Sequence, residues 1–403
     1  MNEAVSTMPA LPELKLKSRQ ERRLRGGHLW IYSNEVDVAK TPLKDFAAGD
    51  LVRVVNDKGQ FLGYAGVHPH ALIAARVLSR DAAHPPGRAM FEHRLRTARS
   101  LRDALYGNGH YRLLFGESDG LPGLVADRFG DVVVLQTATA AMERFKGKIV
   151  DAVKRELAPA GILWRNDSGA RDLEQLDRYV EVAWGQVPEQ VPVHEGGLEF
   201  AAPVMEGQKT GWFFDQRDNR DRFARYPADS VLDVFSYTGA WGLRAAKRGA
   251  AATFVDSSAQ ALAWVKSGAA RLGVDAELLH GNAFDTLRAL RDEGRRFGAV
   301  VVDPPAFIKR KKDFRSGLAA YQRINQLAML LLERDGFLVS CSCSHHLSTA
   351  DLQAALQRAA RHVDRFVQVV EIGGQSADHP LHPAIPETAY LKALFCRVTA
   401  ASG

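Results

Sequence analysis

The chain has 403 residues, 46% hydrophobic and 25% charged, the balance of an ordinary globular protein with more than one core. Its 53 Lys and Arg slightly outnumber its 47 Asp and Glu, and three cysteines in such a length exclude a disulfide framework. No run approaches the roughly 18 apolar residues of a membrane span, and the first twenty residues hold no apolar export core, so a cytoplasmic protein without a membrane partner is expected.

Residues 11–83 give short strand-like runs, "DLVRVVN", "FLGYAGV" and "ALIAARVL", broken by turn residues such as Asp57-Lys58-Gly59, and predict a β-rich first domain. Its opening stretch, "KLKSRQERRLRGG", sets Lys15, Lys17, Arg19, Arg22, Arg23 and Arg25 against one acid, Glu21. After the break at "HPPG", residues 88–186 mix the helical "FEHRLRTARSLRDAL" with strands such as "DVVVLQT", an α+β domain in which "GESDGLPGLVADRFGD" reads as a hairpin. "GQVPEQVPVHEGG", with Pro188 and Pro192, reads as a linker. From 191 to 403 the apolar strands "SVLDVF", "ATFVD", "GAVVVD" and "FLVSCSC" alternate with helical stretches. One of these repeats Leu318, Tyr321, Ile324, Leu327 and Leu331 on one face. The pattern predicts a doubly wound parallel sheet of Rossmann type, with ligands outside the carboxyl ends of its strands.

The chemistry concentrates at those strand ends. "VLDVFSYTGAWG" runs from a strand acid, Asp233, through a small-residue turn into a helix, and Gly239 and Gly242 permit close backbone approach. The next strand ends in Asp256, suited to accept both hydroxyls of a ribose. No G-x-x-x-x-G-K-[ST] loop occurs and the dinucleotide glycine order is missing, which disfavours a nucleoside triphosphate and a nicotinamide cofactor. "VVVDPPAFIKRKKD" is more specific. Two prolines force a rigid, extended exit that presents Asp303 and Phe307 at the sheet mouth, where a planar base could stack. Lys309, Arg310, Lys311 and Lys312 follow at once, where a nucleic-acid backbone would then lie. In "SCSCS", Cys341 and Cys343 run side by side on a strand and cannot bridge comfortably, and no other Cys or His supplies a metal set. Cys341 suits packing; Cys343, nearer the mouth, is open to a chemical role.

In this order, "RRLRGGHLWIYSNEV", "GESDGLPGLVADRFG", "GQKTGWFFDQRDNR", "DVFSYTGAWG", "DPPAF" and "SCSCSH" make the chain resemble the bacterial large-subunit ribosomal RNA cytosine-5 methyltransferases, over about residues 14–398. The resemblance implies a PUA-like RNA-binding domain (11–83), a central α+β domain (88–186) and a methyltransferase domain (191–403) that uses S-adenosylmethionine. It implies cofactor contacts from Thr210, Phe214, Gln216 and Arg217, a methionine end lined by Asp233, Ser236, Tyr237, Thr238 and Gly239, and a ribose held by Asp256 beside Ser257. Asn282, where the family usually has an acid, would meet the adenine. Cys343 would be the nucleophile and Asp303 its aid at the cofactor and base, while Pro304, Phe307, Lys309, Arg310 and Lys311 would take the RNA. The implied partner is 23S ribosomal RNA, and a homodimer is compatible with it. Two rival readings are a guanine N-methyltransferase, which needs no thiol, and a non-catalytic RNA-binding ribosome-assembly factor.

Overall fold

The computed structural model describes residues 11–401; the expectation of no export core falls partly on residues 1–10, which lie outside the described residues. Two compact units divide the chain. The first takes the described residues up to Glu189, together with Val204–Gly211 and Asp378–Thr388. The second takes Gln190–Pro203, Trp212–Ala377 and the chain from Ala389.

The first unit opens with β1 (Glu13–Lys15), α1 (Arg22–Arg25), β2 (Trp30–Tyr32), β3 (Leu51–Val55), β4 (Phe61–Val67) and β5 (Ile73–Ser79), five strands in the order β1-β3-β4-β5-β2. Next come α2 (Arg88–Tyr106), β6 (His110–Phe115), β7 (Leu124–Phe129), β8 (Val132–Thr137), α3 (Ala140–Arg144), α4 (Lys146–Leu157), β9 (Gly161–Asn166) and β10 (Tyr179–Gly185). These five strands form a second sheet in the order β10-β9-β8-β7-β6, and β7 and β8 make the expected hairpin. The two sheets share one unit because α3 packs tightly on β4. A Cβ added at Gly66 would lie 2.2 Å from that of Ala141. Arg76 also pairs with the buried Glu174.

In the second unit, "PVHEGG" is structure rather than linker. β11 (Val191–Glu195) and β12 (Leu198–Ala202) form a hairpin around Gly196 and Gly197 at φ 59° and 74°. That two-residue turn demands positive φ at both positions, which glycine supplies without strain. Pro192 is tolerated because a two-stranded hairpin has only edge strands. There follow α5 (Arg217–Phe223), β13 (Ser230–Val234), α6 (Ala240–Ala246), β14 (Ala251–Asp256), α7 (Ala259–Leu272), β15 (Glu277–His280), α8 (Ala283–Asp292) and β16 (Phe297–Val302). The unit closes with α9 (Phe314–Leu330), β17 (Leu332–Ser342), α10 (Thr349–His362), β18 (Arg365–Gly373) and β19 (Lys392–Ala400).

The seven strands run β15-β14-β13-β16-β17-β19-β18. The expected all-parallel sheet is corrected at one position: β19 is antiparallel to both β17 and β18. Strand order reverses between β13 and β16, so their carboxyl ends flank a crevice. Alternate residues divide between the faces. Leu232, Val234, Val300, Val302 and Leu338 pack under α8, α9 and α10. Val231, Val301, Val339 and Cys341 pack with Trp241 of α6 on the other side. Each such aliphatic side chain contributes about 2 kcal/mol on burial, which fixes the register and hence which residue stands at each strand mouth.

Candidate active site

β13 delivers Asp233 fully buried. Its Oδ2 accepts the Gly242 N–H at 2.9 Å, and its Oδ1 has no hydrogen-bond partner among the described residues. Burial raises the carboxyl pKa to about 8, and the nearby charges of Asp303 and Asp256 add to the rise. After the strand, Phe235 (φ 65°) and Tyr237 (φ 51°) adopt left-handed conformations that large side chains rarely take. Such strain persists only where the surroundings impose it, and it gathers at binding sites. Ser236, between them, is buried with its hydroxyl unpartnered among the described residues. Thr238 is buried, and Gly239 closes the turn at φ 77°, where a Cβ would meet Phe254 and Val265 at 3.1 Å. At Gly242 a Cβ would come within 2.4 Å of Phe254, so α6 can lie on its strand only with glycine there.

One strand over, Asp256 ends β14. Its Oδ2 accepts the Tyr237 N–H at 2.9 Å and its Oδ1 the Ser258 N–H at 2.8 Å, which aims the carboxylate across the mouth. Ser257 is exposed, and its carbonyl faces His280 Nε2 at 3.1 Å. Asn282 caps α8, its Oδ1 accepting the Phe284 N–H at 2.9 Å, and its side chain remains exposed. That is a helix N-cap in its own right.

On the other side of the crevice, Asp303 follows β16. Gln216 Nε2 donates to Oδ1 at 2.9 Å and Trp241 Nε1 to Oδ2 at 3.2 Å. Burial pushes its pKa up to about 6; the two donors pull it down, and the Asp215 charge pushes the other way. Gln216 is itself held, its Oε1 accepting from Asn219 Nδ2 at 2.7 Å. Pro304 is buried and Phe307 half-buried, its ring 4.8 Å from Tyr321 and 6.2 Å from Phe235. Lys309, Arg310, Lys311 and Lys312 are exposed.

Val302 pairs with Ser340 across β16 and β17, which sets Asp303 beside Cys341 with Cys343 two residues further toward the mouth. Cys341 is fully buried among Val301, Val339 and Phe395, and burial raises its thiol well above the ordinary value. Cys343 is half-exposed, and none of the three cysteines is in a disulfide. The serines on either side are pinned to one ring. Ser342 Oγ donates to Tyr321 Oη at 2.8 Å, and Ser344 Oγ lies 2.9 Å from the same oxygen.

The structure brings Gln216, Asp233, Ser236, Tyr237, Thr238, Gly239, Asp256, Asp303 and Cys343 to the carboxyl ends of neighbouring strands or the elements packed on them. The other three expected cofactor contacts ahead of β13 have these surroundings. Thr210 belongs to the first unit, where its buried hydroxyl donates to Asp127. Phe214 is buried, with the Arg217 guanidinium 5.1 Å from its ring centre, and Arg217 itself faces Glu195 at 3.7 Å. Sequence reasoning missed Trp241 as an Asp303 donor, the hub at Glu195 and the buried Lys392. Glu195 is fully enclosed, and burial alone would raise its pKa. Arg220 at 2.5 Å, with Arg217 and Arg244, instead holds it at about 2. The one signal for Lys392 was a lysine directly before the apolar run at 393–396.

Comparison with known proteins agrees with this architecture. Residues 14–80 match a PUA-like domain, and residues 214–350 match a family described as Conserved hypothetical protein 95. A Shewanella denitrificans protein named "Ribosomal RNA large subunit methyltransferase I" is 36% identical over 394 residues, covering 96% of this chain and 99% of its own. Proteins of the same name from Aliivibrio fischeri (36% identical, 95% of this chain and 98% of theirs) and Klebsiella pneumoniae (35%, 96% and 98%) match alike. Among solved structures, a Streptococcus mutans protein assigned as a SAM-dependent methyltransferase superposes with TM-score 0.78 at 19% identity, covering 96% of this chain and all of that one. A protein assigned as a methyltransferase and solved with SAH gives TM-score 0.81 at 20% identity, with the same coverage. These two speak to the fold. On sequence, the chain belongs to the ribosomal RNA large subunit methyltransferase I family.

Proposed function

We propose that this protein transfers a methyl group from S-adenosylmethionine to C5 of a cytosine in large-subunit ribosomal RNA, with Cys343 as nucleophile and Asp303 beside it. The observation that carries the reading is the placement of a half-exposed thiol at the mouth of β17, next to the strand that leads into a half-buried, doubly hydrogen-bonded carboxyl.

The residues at the β13 and β14 ends fit the cofactor. A fully buried carboxyl oxygen on Asp233 and a buried hydroxyl on Ser236, both without partners among the described residues, are the kind of orphaned groups that a polar ligand satisfies. With Tyr237, Thr238 and Gly239 they would hold the methionine end, and the aimed Asp256 carboxylate would take the ribose hydroxyls. Gln216 would lie nearby through its bond to Asp303; Ser257 and Asn282 are exposed beyond Asp256. When bound, S-adenosylmethionine supplies an electrophilic methyl group, which C5 takes up with release of S-adenosylhomocysteine.

C5 of cytosine is a poor nucleophile. The Cys343 thiolate forms a bond to C6, and the electron pair of the C5–C6 double bond makes C5 reactive. Asp303 hydrogen-bonds the N3 and amino edge of the base and so favours the addition. After methylation a base removes the C5 proton, its bonding pair restores the double bond, and the C6–S bond breaks to return the thiolate. Pro304 and Phe307 would shape the base pocket, and Lys309, Arg310 and Lys311 would meet the RNA backbone.

Cys343→Ala is expected to lose at least about a thousandfold in methyl transfer, the scale on which removal of a covalent nucleophile acts. It should bind S-adenosylmethionine normally in calorimetry. Cys341→Ala should keep most activity. Full activity in Cys343→Ala overturns the thiol mechanism and leaves guanine-nitrogen methylation, and mass mapping of the modified nucleotide separates the two. A chain that binds no S-adenosylmethionine is instead an RNA-binding assembly factor.

A further inference from the structure

Lys392 opens β19 and pairs with Ser342 across the ladder to β17, one residue from Cys343. The residue is buried, and its ammonium donates to the Ser344 carbonyl at 2.5 Å and the Tyr390 carbonyl at 2.8 Å. Two carbonyl acceptors suit a protonated amine, which has three N–H donors and no acceptor. No carboxylate forms an ion pair with it among the described residues, so an ammonium has been buried without the usual compensation. Burial lowers its pKa to about 8, and the neighbouring Cys343, whose next residue supplies the Ser344 carbonyl, is the group that pulls it back up. The other ionisable groups packed around this corner are Tyr321, which also senses Cys343, Asp303 beside Cys341, Asp215 bonded to Tyr390 at 2.5 Å, and His345 against the Tyr390 ring. None of them brings a fixed positive charge.

We infer that Lys392 is the positioning residue for the nucleophile: its ammonium, fixed by two carbonyls, is the counter-cation that keeps Cys343 ionised for attack. This rests on the reading of Cys343 as the nucleophile. The carbonyl of Ser344 anchors the amine from the residue after Cys343, and Ser342 pairs with its backbone from the residue before. The thiol is therefore bracketed by the amine's own attachments. A cation near a thiol favours the thiolate, the reactive form. The sign follows from the lysine: the support is present while the amine is protonated and fades as pH rises through about 8.

The test is the pH profile of Cys343 alkylation by iodoacetamide, read by fragment mass spectrometry on the intact chain without RNA. Lys392→Met is expected to slow alkylation about tenfold at pH 7, one unit of thiol pKa, with the difference narrowing above pH 8. Lys392→Arg, which retains a cation, should recover much of the rate. Superimposed profiles for the wild type and Lys392→Met overturn the proposal. Should Lys392→Met fail to fold, the reciprocal measurement decides. Lysine titration by NMR should show the Lys392 pKa falling in Cys343→Ala, where the thiolate is gone, and an unchanged value overturns the proposal. Activity does not enter either readout, so a fully active Cys343→Ala would refute the nucleophile assignment and leave the lysine–thiol coupling measurable.

Discussion

Asp233 illustrates at the scale of one residue how a site is maintained against stability. Its carboxyl is completely buried and accepts one backbone N–H, and its pKa lies near 8 in the folded chain against about 4 in the unfolded one. Between those values the folded state holds a proton that the unfolded state has released, so this group's contribution to stability falls as pH rises from 4 to 8. Asp233→Asn keeps an acceptor for Gly242 and removes the charge. It is expected to be more stable than the wild type by about 1–3 kcal/mol at pH 8, with the gain shrinking toward pH 4, as read by thermal melts across pH. Equal pH dependence in the two proteins would remove burial as the cause. The same variant should bind S-adenosylmethionine more weakly, the usual exchange of function for stability. Asp233, Asp256 and Asp303 were legible in the sequence because each is an acid at the end of an apolar run. Their donors were not: Gln216 and Trp241 reach Asp303 from 87 and 62 residues away, and no local period encodes such a meeting.

Among elements, the β11–β12 hairpin shows what local patterning can hide. Its two-proline approach resembles a linker, yet the last residue of β11, Glu195, is the anion around which Arg217 and Arg220 of α5 and Arg244 of α6 assemble. Trp212 Nε1 adds a hydrogen bond at 3.1 Å. This hub ties the hairpin to the two helices that present Gln216 and Trp241 to Asp303. Glu195→Ala leaves three guanidinium groups buried without their counter-charge and should destabilise the second unit by about 3–5 kcal/mol in urea titration. The native carboxylate, held at about 2, contributes stability that is present above the unfolded value near 4.5 and lost as pH falls toward 2. The variant should lack that acid-labile component; a cost under about 1 kcal/mol would make the hub dispensable. The parallel strands β13, β14 and β16 announced themselves as apolar runs, because burial on both faces demands that composition. The direction of β19 could not be read, since an apolar strand looks the same whichever way it runs.

Over the whole molecule, positive charge is distributed in a way that composition alone understates. A net charge of +6 is modest for 403 residues, but Lys309, Lys311 and Lys312 are all exposed directly after the Asp-Pro-Pro exit, and Arg22 and Arg25 are exposed on the first unit. Exposed cations of this kind act on a polyanion chiefly by releasing counterions, which makes binding strongly dependent on salt. If both clusters contact RNA, each phosphate contact removed should make the plot of log affinity against log salt shallower by about 0.7–0.9. Replacing Lys309, Lys311 and Lys312 by alanine should then flatten the slope for a large-subunit RNA fragment by about 2. Replacing Arg22 and Arg25 should flatten it further and independently, because the two sets of cations lie in separate units. Calorimetric affinity for S-adenosylmethionine should be unchanged in either variant, since none of these side chains belongs to the strand ends that would hold it. An unaltered slope for the first set would make the cluster after Asp303 a merely solvated face, and an unaltered slope for the second would move RNA recognition by the first unit to other residues.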